Sequence, residues 1–516
     1  MAKIWKKKKI ICIAQSARHS GPCATASMIS GKRYKAPLLE RKFLIPLLGV
    51  LIVFIVSRVI YDRVGIYFQG DTSINLGWQF IDPVLLRTDL WRNVFYLHGQ
   101  PPLLNLFTGI ILQIFPAGYE EVFHILYFTV GIVLAISIYL TGIFLRFPPW
   151  LSAFVSAWFM VSPATVLYEH WLFYSYPITA ALTMSGFCLY QFISTNKNYW
   201  GLMFFALLGG MALTWSIFHI VWLFGIVIWL FMVLKERKKM ILVAFLPVLV
   251  VTAWYAKNLL TVGEFTASSW AGMNLSRIAR LYMPEKERIK MAKSGELSKF
   301  ALLPPFRNPS LYLKFLPETP HTGIPVLDEP ETSLNRLNYH HLVYVEASKY
   351  FLRDSIRLIL AKPNYYIRSV SQAMYVYFQT SSNYFLIAGN RESIRTLDLW
   401  WNRLFYGQWI SDETSVDLVS SMSPKRVGWW IILSFFIVMA GGVISLWQNR
   451  RYLFEPENVL VQFMAYNILF VTVIGNLMEI GENNRFRFTI DPFLAILLVF
   501  FLRKLIALIN PEKSRL

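Results

Sequence analysis

The run PPLLNLFTGIILQIFP, residues 101–116, decides how this chain is threaded. It is apolar, yet its sixteen residues fall short of the roughly 20 that a helix needs to cross a bilayer. If it crosses, eight spans precede the long polar region that begins near Thr261, and the cluster Lys235-Glu236-Arg237-Lys238-Lys239 faces outward. That contradicts the tendency of Lys and Arg to stay cytoplasmic. If it does not cross, Arg146, Lys197, the Lys235 cluster, Arg450-Arg451 and the basic terminus from Arg503 to Arg515 all share the cytoplasmic side. Residues 101–116 are therefore read as a helix at the outer surface, begun by Pro101 and Pro102, which suit a first helical turn.

Working outward, apolar runs of spanning length fall near 43–60, 121–146, 149–167, 171–193, 198–213, 215–234, 240–257, 428–447, 458–478 and 489–508. The fold expected is an all-α polytopic membrane protein of about ten transmembrane helices. Residues 1–42 form a basic cytoplasmic tail, and 43–260 an N-terminal transmembrane module whose first external loop is 61–120. An external soluble domain, α-rich or mixed, occupies 261–427, and the last helices 428–516. Residues 365–389 look apolar, but Arg368, Gln372, Gln379 and Thr380-Ser381-Ser382-Asn383 make them poor spanning material, so they are assigned to the outer domain.

Composition agrees. Of 516 residues 55% are hydrophobic and only 16% charged, too apolar for a soluble chain of this length. The net charge of +20 would suggest nucleic acid if it formed a patch on a folded domain. Instead, eleven Lys and Arg against the single acid Glu40 lie in residues 1–42, a tail suited to anionic lipid, and no nucleic-acid partner is expected. The tail's apolar run, Ile10 to Ala14, is too short for a signal-peptide core, and Met28 is an alternative start. Cys12, Cys23 and Cys188 offer no disulfide framework.

Polar stretches on the outer face carry the candidate chemistry. Asp71, between Gly70 and Thr72 just past the first span, is a candidate general base. Asp82 and Asp89 read as helix caps or solvated acids. Arg485 and Arg487, in ENNRFRFTIDP at the mouth of the last span, are candidates to grip a phosphate, and Lys257 ends a span on the same face. Glu169-His170, His98, Gln100 and Glu482 are possible substrate-binding residues. No histidine spacing argues for zinc, and no P-loop, GxSxG or dinucleotide-binding glycine motif is present.

Taken in order, the first span, the loop with Asp71, the QPPLLNL helix, six further spans, the outer domain after WYAKNLLTVGEFTASSWAGMNL and the closing ENNRFRFTIDP resemble the GT-C superfamily of membrane glycosyltransferases. The likeness is to the branch of the protein O-mannosyltransferases and the lipid A aminoarabinose transferase, and it covers most of the chain from about Arg41. It implies an inverting transfer of a sugar from a polyprenyl-phosphate carrier to a lipid, glycan or protein acceptor on the non-cytoplasmic face. Asp71 would then be the base, Arg485 and Arg487 the phosphate contacts, and Glu169 an acid of the second external loop. Carboxylates beside Asp71 could hold magnesium or manganese, though the sequence leaves a cofactor undecided. The chain departs from the family's pattern at Thr72, where many members have Glu, and at Gln100 and Trp215, where relatives place basic residues.

Such a protein is multi-pass, in the plasma membrane if bacterial and the endoplasmic reticulum if eukaryotic, with membrane lipids around it. Two other classes remain: a lipid or solute transporter or flippase, and a noncatalytic envelope assembly protein. Ion-coupled transporters carry ionisable groups in mid-membrane, and apart from Arg58 and residues near helix ends the expected spans contain none.

Overall fold

The computed structural model describes residues 40–317, 321–409, 427–450 and 452–509. The basic tail up to residue 39, with Met28, Cys12 and Cys23, lies outside the described residues, as do 410–426 of the expected outer domain and the terminus from residue 510. The chain is an all-α polytopic membrane protein. Among the described residues only isolated bridges, such as Gln69 with Trp171, interrupt the helices and turns.

The helices run in chain order. First come α1 (Arg41–Arg63), α2 (Asp71–Leu76), α3 (Pro83–Thr88), α4 (Leu90–Tyr96), α5 (Leu103–Ile114) and α6 (Tyr119–Phe144). Next are α7 (Pro149–Val161), α8 (Pro163–Glu169), α9 (Ser175–Thr195), α10 (Asn198–Ala212), α11 (Ile220–Val233) and α12 (Arg237–Val262). Eight follow between there and the last spans: α13 (Ala271–Ala279), α14 (Glu285–Lys293), α15 (Pro309–Leu313), α16 (Pro325–Asp328), α17 (Val343–Ala361), α18 (Pro363–Tyr377), α19 (Ala388–Ser393) and α20 (Arg395–Trp401). The chain closes with α21 (Trp429–Gln448), α22 (Pro456–Met478), α23 (Asn483–Phe488) and α24 (Asp491–Ile509).

All ten stretches expected to span are helical. Six of them, α1, α6, α12, α21, α22 and α24, are long and apolar enough to cross a membrane by themselves, and α7 with α8 makes a seventh candidate bent by 60°. The remaining three are α9, α10 and α11, of 21, 15 and 14 residues. Fourteen of the residues of α9 are buried, which makes it the enclosed centre of the bundle; enclosure explains why it tolerates Thr179, Thr183 and Ser185 in place of lipid-facing apolar residues.

The deciding stretch forms α5, 12 residues long. At 1.5 Å per residue it reaches about 18 Å, well short of a hydrocarbon core of about 30 Å. It folds onto its own loop: Asn105 Oδ1 accepts from Ile81 N at 2.7 Å and its Nδ2 donates to the Gln79 carbonyl at 2.9 Å. Gly109 lets α4 approach, because a Cβ there would lie 2.2 Å from Leu90 Cδ1. The α18 stretch likewise ends after 15 residues, and Thr380-Ser381-Ser382-Asn383 forms a buried turn.

Between α12 and α21 no described helix is long and apolar enough to cross. This part has its own core of Trp270, Met273, Phe300, Tyr312, Val343, Tyr344, Ala347 and Phe351. α13 packs onto α17 through Gly272, whose added Cβ would fall 2.0 Å from the Ser348 carbonyl oxygen. That close contact fixes the helix from which Arg277 projects and after which Arg280 follows.

The break between α7 and α8 is the costly point of the bundle, since it frees helix-end carbonyls in an apolar setting. Residues of α1 satisfy them. Arg58 Nη1 donates to the Met160 carbonyl at 2.6 Å and Tyr61 OH to that of Val161 at 2.9 Å. The same guanidinium pairs with Glu169, Nη2 to Oε2 at 2.5 Å and Nε to Oε1 at 3.0 Å, and Tyr176 OH donates to Oε2 at 2.6 Å. The two side chains are 7% and 0% exposed. Arg58→Met should therefore cost about 3–5 kcal/mol, the penalty of leaving a buried charge unpaired. Thermal unfolding in detergent should show a large loss for the single variant and partial recovery for Arg58→Met with Glu169→Gln.

Candidate functional site

A cavity of about 1040 Å³ opens where the first loop, the start of α11, the α13–α14 region and the ends of α22 and α23 meet. Its apolar lining comes from Phe470, Ile474 and Met478 of α22 and from the exposed Val221 of α11. The lining also carries four arginines: Arg277 of α13, Arg280 just past its end, Arg288 of α14 and Arg485 of α23. Gln79, Gln100, Trp78 and Trp215 complete the polar surface.

The arginines are not equivalent. Arg485, 2% exposed, is held by Glu482, its Nε 3.0 Å from Oε2 with a second contact through Nη2, while Nη1 donates to Ser175 Oγ at 3.2 Å. Rings of Phe173, Tyr174, Trp215 and Phe486 stand 5.0–5.3 Å from its guanidinium, where cation–π attraction in a dry setting compensates lost hydration. Arg277 Nη1 pairs with Glu479 Oε1 at 2.9 Å.

Arg280 and Arg288 differ: among the described residues no carboxylate lies within ion-pair distance of either. Arg280 Nη1 donates to the Leu303 carbonyl at 2.5 Å and Arg288 Nη1 to that of Ala301 at 3.3 Å, and the enclosed Nε of Arg288 has no partner. Burial, with the neighbouring Arg288, pulls Arg280 down to about 10. Two neighbouring cations with no carboxylate partner among the described residues, both lining the cavity, have the chemistry to receive an anion.

Of the residues singled out from sequence, Arg485, Glu482 and Gln100 line this cavity. Asp71 does not. It begins α2, exposed, with its N–H donating to Glu120 Oε1 at 2.5 Å and its Oδ1 accepting from Tyr119 OH at 2.7 Å and Asn75 Nδ2 at 2.9 Å. Its loop neighbours Trp78 and Gln79 do reach the cavity. Arg487 is turned into the protein: Nε meets Asp491 Oδ1 at 3.0 Å, Nη1 the carbonyls of Tyr377 and Gln379 at 2.5 Å each, and Nη2 Ser381 Oγ at 2.7 Å. Four of its five N–H donors are thus spent on holding the 380–383 turn. Lys257 donates to the Leu97 carbonyl at 2.9 Å and lies 3.6 Å over the Trp254 ring, away from the cavity wall.

Glu169 belongs to the Arg58 network, and His170 Nδ1 meets the Val166 carbonyl at 2.8 Å. His98 is enclosed between Ser269 Oγ and the His340 carbonyl, each 2.8 Å away. Burial and His340 push His98 down to about 3, so it is neutral and acts as a strut of the loop. No group of three or more His, Cys, Asp or Glu among the described residues is arranged to hold a metal ion.

Arg277, Arg280 and Arg288 were missed in the sequence. The faint signal is NLSRIARL, where Leu275 and Ile278 face inward and the arginines three apart share the other face of α13. What brings them to Glu479 and Arg485, some two hundred residues later, is tertiary packing alone.

No protein-family model and no curated protein matches the chain. Among solved structures it is similar to the archaeal oligosaccharyltransferase AglB from Archaeoglobus fulgidus, in complex with an inhibitory peptide and a dolichol-phosphate: 11% identity, 91% of this chain and 52% of that one, TM-score 0.34. This chain thus spans about half the length of AglB. It is also similar to ArnT from Cupriavidus metallidurans bound to undecaprenyl phosphate, at 12% identity over 89% of this chain and 77% of that one, TM-score 0.29. At these TM-scores the likeness carries no functional argument, which rests on the cavity's own residues.

Glu479 gives the site a measurable signature. Burial raises its carboxyl from 4.5 to about 7, Glu482 adding to the rise and Arg277 opposing it. Between those pH values the folded chain keeps a proton that the unfolded chain has released, so stability falls as pH rises through this window. The melting temperature should drop more steeply from about pH 5 to about pH 7 in the parent than in Glu479→Gln; equal slopes would remove this assignment.

Proposed function

We propose that this chain is an integral-membrane glycosyltransferase that takes a sugar from a polyprenyl-phosphate carrier and transfers it, with inversion, to an acceptor on the non-cytoplasmic face. The observation that carries the reading is a cavity whose lining holds both the apolar Phe470, Ile474 and Met478 and the cationic Arg280 and Arg288. A lipid phosphate is the ligand whose chemistry matches both kinds of lining at once. Its isoprenoid tail would leave along α22 and α11, and its phosphate would receive forked hydrogen bonds from the two arginines that have no acid partner.

In this reading the acceptor hydroxyl loses its proton to a carboxylate and its oxygen attacks the anomeric carbon. The bond from that carbon to the phosphate oxygen breaks on the opposite face, and the electron pair leaves on the carrier phosphate. The arginines stabilise the charge that grows there, the term that most favours such a transfer in a dry cavity. Two carboxylates compete for the proton. Asp71 is the base expected from the sequence, with Oδ1 fixed by Tyr119 and Asn75. Glu479 is favoured by its place in the cavity and by a burial-raised pKa of about 7, which suits proton acceptance near neutrality.

The test is transfer of labelled sugar from a polyprenyl-phosphate donor by purified protein in nanodiscs. The parent should turn over, and Arg280→Gln with Arg288→Gln should lower the rate by about 10²-fold, the scale of losing charge stabilisation at the leaving oxygen. Loss of the base costs about 10²- to 10⁴-fold, so whichever of Asp71→Asn and Glu479→Gln shows that loss identifies it. A well-folded parent that flips the lipid yet never cleaves it is a flippase.

A further inference from the structure

The pole of the cavity built from the first loop has an unfilled polar group. Gln79 lines the cavity and is 4% exposed, and its carboxamide oxygen is enclosed without a hydrogen-bond partner. A buried amide acceptor left unmade is destabilising, and beside a cavity a ligand is one means of completing it. The position is also held in place. The Gln79 carbonyl accepts from Asn105 at 2.9 Å, and the Phe80 carbonyl meets His340 Nε2 at 3.3 Å. A Cβ on Gly99 would lie 2.6 Å from the other nitrogen of the same imidazole, so residues 79–80 and 99–100 are pinned to opposite edges of His340. Ser268 Oγ donates to the Gly99 carbonyl at 2.6 Å, which sets Gln100 beside this pole.

Around these two amides stand flat rings. Trp78 lines the cavity and stacks on Phe385, centroids 6.5 Å apart at 15°. Trp270 lies parallel to His340, and its own Nε1 is already given to the Tyr339 carbonyl at 3.0 Å. Amides that both donate and accept, set among aromatic faces, suit a ring with hydroxyl groups on its edge and C–H bonds on its faces. The first-loop wall contributes no charged side chain to the cavity, and the cavity's two acids, Glu479 and Glu482, are each engaged by an arginine. No charged side chain of this pole would neutralise an ammonium or carboxylate substituent.

We propose that Gln79, assisted by Gln100 and Trp78, is the specificity determinant for the transferred group, and that this group is a neutral polyhydroxylated sugar whose hydroxyl donates to the Gln79 carboxamide oxygen. The assignment rests on the lipid-phosphate reading of the same cavity, and binding separates the two. The full chain in nanodiscs is titrated with undecaprenyl phosphate, with undecaprenyl-phosphoglucose and with an undecaprenyl-phospho-aminosugar.

The parent should bind the phosphoglucose lipid at least ~10-fold more tightly than the bare phosphate, the scale of pairing one buried amide. Gln79→Leu should reduce that preference to within about twofold and leave the bare phosphate unchanged. Gln79→Glu, of the same size but anionic, should transfer the preference to the aminosugar lipid, a gain that a merely structural glutamine would not produce. Retention of the glucose preference in both variants overturns the proposal, as does a parent with no preference between the sugar-bearing and bare lipids. Failure of the parent to bind even the bare phosphate overturns the lipid-phosphate reading and this inference with it.

Discussion

The buried pairing of Arg58 with Glu169 is the interaction on which the site depends. Apolar surroundings make an open helix break untenable unless its carbonyls are met, and Arg58 meets one of them while neutralising the acid that ends α8. With α8 fixed, the residues that follow are fixed too. Gln69 N donates to the His170 carbonyl at 2.8 Å and Leu172 N to that of Gln69 at 3.3 Å, so the first loop is paired to the α8–α9 link. Four residues on, Tyr174 faces the cavity and Ser175 receives Arg485. One ion pair in the bundle thus sets both the loop that carries Asp71, Trp78 and Gln79 and the aromatic seat of Arg485.

A second arginine does comparable service at the far side. Arg487 draws Tyr377, Gln379, Ser381 and Asp491 together, which ends α18 and seats the 380–383 turn against the last span. These two groups stabilise the scaffold because they are buried and satisfied. Arg280 and Arg288 are the opposite case, half-buried and without a carboxylate partner among the described residues, and in the proposed function they are the groups that receive the ligand.

Much of the fold was legible because its signals are local. Length and hydropathy locate the ten apolar helices, and the brevity of 101–116, with its paired prolines, matches the 12-residue α5. The site was less legible, for geometric reasons. Arg485 and Arg487 read as a two-pronged grip, but residues two apart on a helix point about 200° apart, so one faces the cavity and the other the interior. Asp71 was recognisable as a loop carboxylate; that Trp78 and Gln79 reach the cavity and Asp71 stays outside its wall depends on the six residues of α2 and on Asn105, which no spacing rule reveals. Arg277, Arg280 and Arg288 needed α13 to be packed on α17, a contact made possible by Gly272.

The central claim is that one cavity receives a lipid phosphate, its head at the arginines and its tail at the membrane. The most direct measurement is a density map of the full chain in nanodiscs with undecaprenyl phosphate. The account predicts phosphate density against Arg280 and Arg288 and an isoprenoid chain running past Ile474 and Val221 toward lipid. Phosphate density at Lys257 or Asp71 with this cavity empty would contradict it.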